Sequence, residues 1–164
     1  LEAAYTNNVE KFMFLSSTTI YPIKSEPLRE SDIDTTNLFD KYFCVGWMKI
    51  FSEILCEMYA KKIKKPMTTI VIRVGNSYGP MDDFEWETSH VLPALMRRVV
   101  ERHNPIEVWG DGKDLKDLVY VEDLVEGLLL AMEKVNQFDC INIAAGQSYT
   151  IRDILDDIID IDEY

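Results

Sequence analysis

The segment Thr68–Val74 (TTIVIRV) constrains the chain more than any other stretch of it. It is β-branched and almost continuously apolar, without the polar alternation of a half-exposed strand. A run of this kind suits a strand buried on both faces, and such strands belong to parallel sheets covered by helices on each side. The rest of the chain must therefore supply partner strands and the covering helices.

The flanking segments fit that demand. Lys11–Ser16 (KFMFLS) is a short apolar run ending in small hydroxyls, as in a buried strand that feeds a loop. Pro22–Asp40 has loop composition, with two prolines among Ser, Thr, Asp and Glu. From Tyr42 to Lys62 apolar residues recur at helical spacing (Phe43, Trp47, Ile50, Ile54, Leu55, Met58), and Pro66 follows. Beyond the central strand the pattern predicts a loop over Gly75–Thr88 and a helix over Ser89–Arg102 with Pro93 near its start. A short strand over Ile106–Trp109 then leads into the turn Gly110-Asp111-Gly112. Leu118–Val121 reads as extended, Glu122–Lys134 as a helix and Cys140–Ile143 as a strand. The last helix, Thr150–Ile159, is capped by Thr150 with Asp153 three residues on. Strands alternating with helices indicate an α/β fold with a parallel sheet.

Charge and cysteine usage narrow the class. The net charge of −12, from 17 basic and 29 acidic residues, leaves no basic stripe for nucleic acid or an anionic membrane. The three cysteines, Cys44, Cys56 and Cys140, lack Cys-x-x-Cys spacing. They read as buried free thiols in a reducing, cytoplasmic setting, with no metal site. No run approaches a membrane span in length.

A doubly wound nucleotide-binding domain opens with a strand, a glycine-rich turn and a helix whose amino terminus holds the pyrophosphate. The seven glycines are too dispersed for such a turn. Leu1–Tyr5 reads as the middle of a helix, without an initiator Met, so the expectation is a fragment whose dinucleotide-binding start lies upstream. On this reading residues 1–80 are the carboxy-terminal half of a dinucleotide-binding domain. Residues 81–164 are mainly a substrate-binding lobe, with elements returning to the sheet.

Four ordered segments carry a resemblance. They are Phe14-Leu15-Ser16-Ser17-Thr18-Thr19-Ile20-Tyr21-Pro22; Val45-Gly46-Trp47-Met48-Lys49; Arg73-Val74-Gly75-Asn76-Ser77-Tyr78-Gly79-Pro80; and Trp109-Gly110-Asp111-Gly112 through Asp117-Leu118-Val119-Tyr120-Val121-Glu122-Asp123. Together they resemble the extended short-chain dehydrogenase/reductases of the NAD-dependent epimerase/dehydratase family. Ile20-Tyr21-Pro22 and Ser89-His90-Val91-Leu92-Pro93 through Arg98 are most similar to its GDP-fucose synthase group. The resemblance implies a partial doubly wound (Rossmann-type) parallel sheet with a small carboxy-terminal substrate lobe.

It further implies an NAD- or NADP-dependent hydride transfer at the C4 carbon of a nucleotide sugar. Ser17 would hydrogen-bond the C4 oxygen, Lys49 would hold the nicotinamide ribose, and Val74 and Asn76 would line the nicotinamide pocket. Asn76 would also meet the substrate. His90 would act as an acid/base, and Arg98, Trp109 and Lys116 would lie along the nucleotide-sugar diphosphate. A homodimer through the helix at about 42–62 is also implied.

Three positions depart from the family pattern. Val45 occupies the place of the tyrosine that moves a proton during hydride transfer, and valine has no ionisable group. Tyr42 lies seven residues before Lys49, too far along a helix to replace it unless the helix starts differently. Thr19 stands where the epimerases place a cysteine, and Lys116 where they place an arginine. These departures leave a second expectation, a catalytically weak or inactive relative that binds a nucleotide sugar or cofactor as a sensor or scaffold. For Trp109 a core position competes with a nucleotide-binding one, and for Lys49 an ordinary solvated position competes with a catalytic one.

Overall fold

A computed structural model describes residues 1–24, 26–38 and 40–163. Ser25 and Phe39, in the expected loop Pro22–Asp40, and Tyr164, at the end of the acidic tail, lie outside the described residues. The chain divides into two compact units. One comprises Leu1–Gly75 with Glu122–Ala144, the other Asn76–Val121 with Ala145–Tyr164.

The first unit is built on three parallel strands, β1 (Lys11–Ser17), β2 (Thr68–Val74) and β5 (Asp139–Ile143), with β2 in the middle. Lys11 pairs with Thr68 and Ser17 with Val74, while Ile70 pairs with Asp139 and Val74 with Ile143. The expected central strand is therefore found with its expected limits. Successive side chains alternate between faces. Ile70 and Ile72 pack with Leu128 and Ala131 of helix α4 (Val121–Lys134). Thr69 and Arg73 turn to the other face, where helix α2 (Phe43–Lys61) lies. There the Thr69 hydroxyl donates to the Cys56 carbonyl at 2.7 Å and Arg73 meets Glu53. Burial on both sides is what the continuous apolar run required. A short helix α1 (Glu2–Thr6) precedes β1.

Arg73 is the exception in that run, and its surroundings explain how a charge survives there. Its side chain is 3% exposed and that of Glu53 is 8% exposed. Nη2 donates to Glu53 Oε2 at 2.8 Å and Nε to Oε1 at 3.1 Å, a bidentate pair. Nη1 donates to the Tyr21 hydroxyl at 2.8 Å and the Glu30 carbonyl at 2.7 Å. Desolvation by burial opposes the charge of Arg73. The hydrogen bonds to Glu53 and Tyr21 and the Coulomb attraction of Glu53 outweigh it, and the pKa is raised. The Tyr21 hydroxyl in turn donates to Asn142 Oδ1 at 2.7 Å, and the Asn142 N–H donates to Glu30 Oε1 at 2.9 Å. One guanidinium thus ties α2, the loop after β1 and, through Tyr21, strand β5 together.

The second unit contains β3 (Asn76–Tyr78), β4 (Leu115–Tyr120) and β6 (Ser148–Thr150), with β3 parallel and β6 antiparallel to β4. Helices α3 (Val91–Val100) and α5 (Ile151–Asp162) share a core of Leu95, Val99, Ile151, Ile154 and Leu155. The expected capping box is present. Thr150 Oγ1 accepts from the Asp153 N–H and Asp153 Oδ2 from the Thr150 N–H, both at 3.0 Å.

Several expectations need correction. Ile106–Trp109 forms no strand. Ile106 and Val108 do pack into the α3–α5 core, so the alternation marked burial, but this segment joins no ladder. Conversely, the expected loop Gly75–Thr88 contains β3, and β6 was not foreseen. Three-residue strands are too short to leave a period. Of the cysteines, Cys56 is buried and Cys140 half-buried, but Cys44 is exposed.

Removing one partner of the buried pair leaves an uncompensated charge, which costs about 3–5 kcal/mol. Glu53→Ala is expected to lose about that much stability in urea unfolding. Glu53→Leu combined with Arg73→Met should recover most of it. A Glu53→Ala protein as stable as the wild type would contradict this picture of the core.

Candidate active site

In the first unit the strand end is where polar side chains gather. β1 finishes at Ser16 and Ser17, and Ser17 caps a single 3-10 turn, Thr18–Ile20. Its Oγ accepts the Thr19 N–H at 3.2 Å, which leaves its own O–H available to donate to a ligand oxygen. Ser16 Oγ and Thr19 Oγ1 are buried and have no hydrogen-bond partner among the described residues.

Lys49 sits on the α2 face turned toward this end. Its Nζ donates to the Leu15 carbonyl at 2.7 Å and lies 5.1 Å from the centre of the Phe14 ring. The ammonium is held two residues before Ser17, so the first unit brings these two expected residues to one strand end. Val45, one turn earlier on α2, is 42% exposed and offers no proton. Tyr42 does not fill the gap from within the helix. It is the N-cap of α2, with φ −107° and ψ 14°, outside the helical run. Tyr21 is also unsuitable. It is 4% exposed, and burial raises its pKa against the lowering effect of Arg73, so the phenol stays neutral. Val74 closes β2, half-buried and packed beside Ile70 and Ile72.

The second unit holds the remaining candidates. Asn76 opens β3 and its Nδ2 donates to the Asp117 carbonyl at 3.2 Å. The Asp117 carboxylate accepts the Ala145 and Gly146 N–H groups at 2.7 and 2.9 Å, fixing the chain between β5 and β6. His90 is the exposed N-cap residue of α3 and makes no capping bond with its side chain. The loop before it is organised by Asp83, whose carboxyl is held low first by the Thr88 hydroxyl and then by the Glu85 N–H.

Arg98, on α3, donates from Nη1 to the Ala94 carbonyl at 3.0 Å, and its guanidinium carbon lies 5.1 Å from the Trp86 ring centre. It lines an open cleft of about 530 Å³ together with Trp86, His103, Asn104, Pro105 and Glu107. Trp109 and Lys116 do not line this cleft. Trp109 is 87% exposed, so it is no core aromatic. Lys116 is half-buried in β4, opposite Tyr149 of β6. Trp86 and Glu107 were not singled out in the sequence. They come from irregular segments, where no periodicity marks which side chains converge.

Within the motif Arg73–Pro80, Gly79 has a stringent local role. Its φ is +157°, and a Cβ there would stand 2.5 Å from Val121 Cγ1. The backbone approaches that side chain as closely as only glycine permits.

A doubly wound half-sheet, a Ser–Lys strand end and a separate unit with an arginine-lined cleft define an epimerase-type α/β chain. Residues 1–144 match the model of the NAD dependent epimerase/dehydratase family, and the chain belongs to that family. It is 34% identical over 159 residues to GDP-L-fucose synthase 1 of Arabidopsis thaliana, covering 94% of this chain and 49% of that protein. With the GDP-L-fucose synthase of Escherichia coli K12 it shares 30% identity over 178 residues, covering 100% of this chain and 55% of the relative. The structure of the UDP-glucose 4-epimerase of Thermotoga maritima with UDP-glucose superposes with a TM-score of 0.85 at 28% identity, covering 99% of this chain and 50% of that one. The chain spans about half the length of the relatives it matches.

Gly79→Ala is expected to destabilise the second unit by about 1–3 kcal/mol, the range for a forced overpacking. Chemical denaturation followed by Trp fluorescence reads this directly. A variant of wild-type stability would show that the approach to Val121 is not tight.

Proposed function

We propose that the chain is the substrate-binding and strand-end portion of an NAD(P)-dependent nucleotide-sugar epimerase or reductase that acts by hydride transfer at a sugar C4. The observation that carries this reading is the placing of Lys49 Nζ at the end of β1, two residues from the free O–H of Ser17. Donors in that arrangement suit a sugar oxygen and a ribose hydroxyl at the carboxyl end of a parallel strand, where open α/β sheets take their ligands.

In this reading Lys49 and the apolar Val74, in the first unit, and Asn76, in the second, would each serve the nicotinamide end of the cofactor. The pyrophosphate end has no glycine-rich turn to receive it in this sequence. When bound, NAD or NADP supplies or accepts the hydride. Ser17 then holds the C4 oxygen and Lys49 the ribose, and the Lys49 charge favours the deprotonated state of any acid beside it. His90 exchanges protons at adjacent sugar carbons, and Arg98 holds the diphosphate, whereas Trp109 and Lys116 lie outside the cleft that Arg98 lines.

No helix among the described residues is long and apolar enough to cross a membrane. Phe43, Met48, Phe51 and Ile54 are all more than half exposed on α2, which supports a homodimer through that helix.

Val45 favours a second reading, in which the protein binds the nucleotide sugar without turning it over. The two separate in an assay of the full-length protein for NADPH oxidation with a panel of 4-keto nucleotide sugars. The enzymatic reading expects turnover by the wild type, and a gain of about 10²–10⁴ for Val45→Tyr, the usual contribution of a positioned acid. A silent wild type with an active Val45→Tyr establishes the second reading. If both are silent and neither binds a nucleotide sugar, the proposal fails.

A further inference from the structure

The amino ends of the parallel strands, opposite the end where Ser17 and Lys49 meet, carry a second pocket. It is shallow, about 490 Å³, and its wall includes Lys61, Pro66, Thr68, Gln137 and Phe138. Lys61 closes α2 with its ammonium 4.6 Å from the centre of the Phe138 ring. An apolar wall thus sits beneath a positive rim.

That rim reverses the charge of the chain locally. Lys61, Lys62, Lys64 and Lys65 are four of its 17 basic residues, and no acid lies between Glu57 and Asp82. Lys61 pairs with Glu57 at 3.0 Å, and Lys65 donates to Asn8 Oδ1 at 2.6 Å. Lys62 and Lys64 are exposed, and their side chains make no hydrogen bond or ion pair with a described residue. Like charges this close repel one another, and an anionic surface laid against them relieves the repulsion.

The opposite sign gathers on α5. Of its five aspartates, Asp153 closes the capping box, Asp156 pairs with Arg152 and Asp162 with Arg102. Asp157 and Asp160 are exposed, and their side chains bond to no described residue. Ile161 shares their helix face and is 84% exposed. The other side of the helix is the one buried in the α3–α5 core, through Ile151, Ile154 and Leu155. An isoleucine flanked by two carboxylates is the counterpart of an apolar pocket flanked by two ammonium groups.

We propose that the pocket at the amino ends of the strands binds the outer face of α5 from a second copy of the chain. Ile161 packs against Phe138, and Asp157 and Asp160 meet Lys62 and Lys64. The two patches belong to different units, so the contact is heterologous, unlike a pairing of α2 with α2. It does not depend on the nucleotide-sugar reading.

Sedimentation velocity of the full-length protein tests this, because salt screens exposed charge pairs and leaves apolar contacts in place. At about 0.01 M salt, where charges act over about 30 Å, the wild type is expected to form larger species than at about 1 M, where they act over about 3 Å. Lys62→Glu with Lys64→Glu, and separately Asp157→Lys with Asp160→Lys, should each weaken that association at least about tenfold. All four positions are exposed, so both variants should melt at the wild-type temperature. An equimolar mixture of the two variants should associate again, since every patch then meets its opposite on the other protein. A wild type whose size distribution is unchanged by salt overturns the proposal. Association of either variant at wild-type strength does so too, by placing the contact on another surface. A mixture as dispersed as its components also overturns it, and assigns the lysines to an acidic partner other than this chain.

Discussion

The buried pair between Arg73 and Glu53 is the constraint from which the first unit takes its arrangement. A strand covered on both faces has no room for an unpaired charge, so α2 must present Glu53 directly opposite Arg73. That fixes the helix lengthwise on the sheet. Residues four apart share a helix face, so Lys49 lies one turn from Glu53 along the same row and arrives at the Leu15 carbonyl. Val45 lies one turn further along the row. The same guanidinium reaches Tyr21 and the Glu30 carbonyl, which holds the loop leaving Ser17. The core pair and the strand-end lysine are therefore set by one interaction, and Val45 falls on the same helix row.

The second unit follows a different logic. Its core comes from α3 and α5, and its polar groups are drawn from loops around them. Asp117 binds two successive backbone N–H groups where the chain returns from β5. Arg98 is kept in position by a carbonyl of its own helix and an aromatic ring rather than by an acid.

What could be read from the sequence divides along physical lines. β2 declared itself because burial on both faces forces a continuous apolar run, and α2, α4 and α5 because their apolar residues recur at helical spacing. The capping box of Thr150 and Asp153 is local chemistry, visible in four residues. Pairing is not local, so β3 and β6 went unseen, and Ile106–Trp109 showed the burial pattern of a strand without a neighbour to pair with. Ser17 and Lys49 stood out through ordered motifs, and the structure places both at the end of β1. Trp86 and Glu107 did not, because they join Arg98 in one cleft only after folding. Arg73 was legible as part of a motif, but nothing in the sequence showed that its partner would be Glu53, twenty residues before it.

The central claim is that the Val45–Lys49–Glu53 row delivers a lysine to the strand end but no group able to move a proton. The most direct test is the pH dependence of kcat for NADPH-dependent reduction of a 4-keto nucleotide sugar, compared between the full-length protein and its Val45→Tyr variant. The account expects the variant to be faster and to show an added ionisation below about 10, the ordinary phenol value, lowered by the neighbouring lysine. An unchanged rate with an identical pH profile would mean that the proton already comes from elsewhere, and would contradict the account.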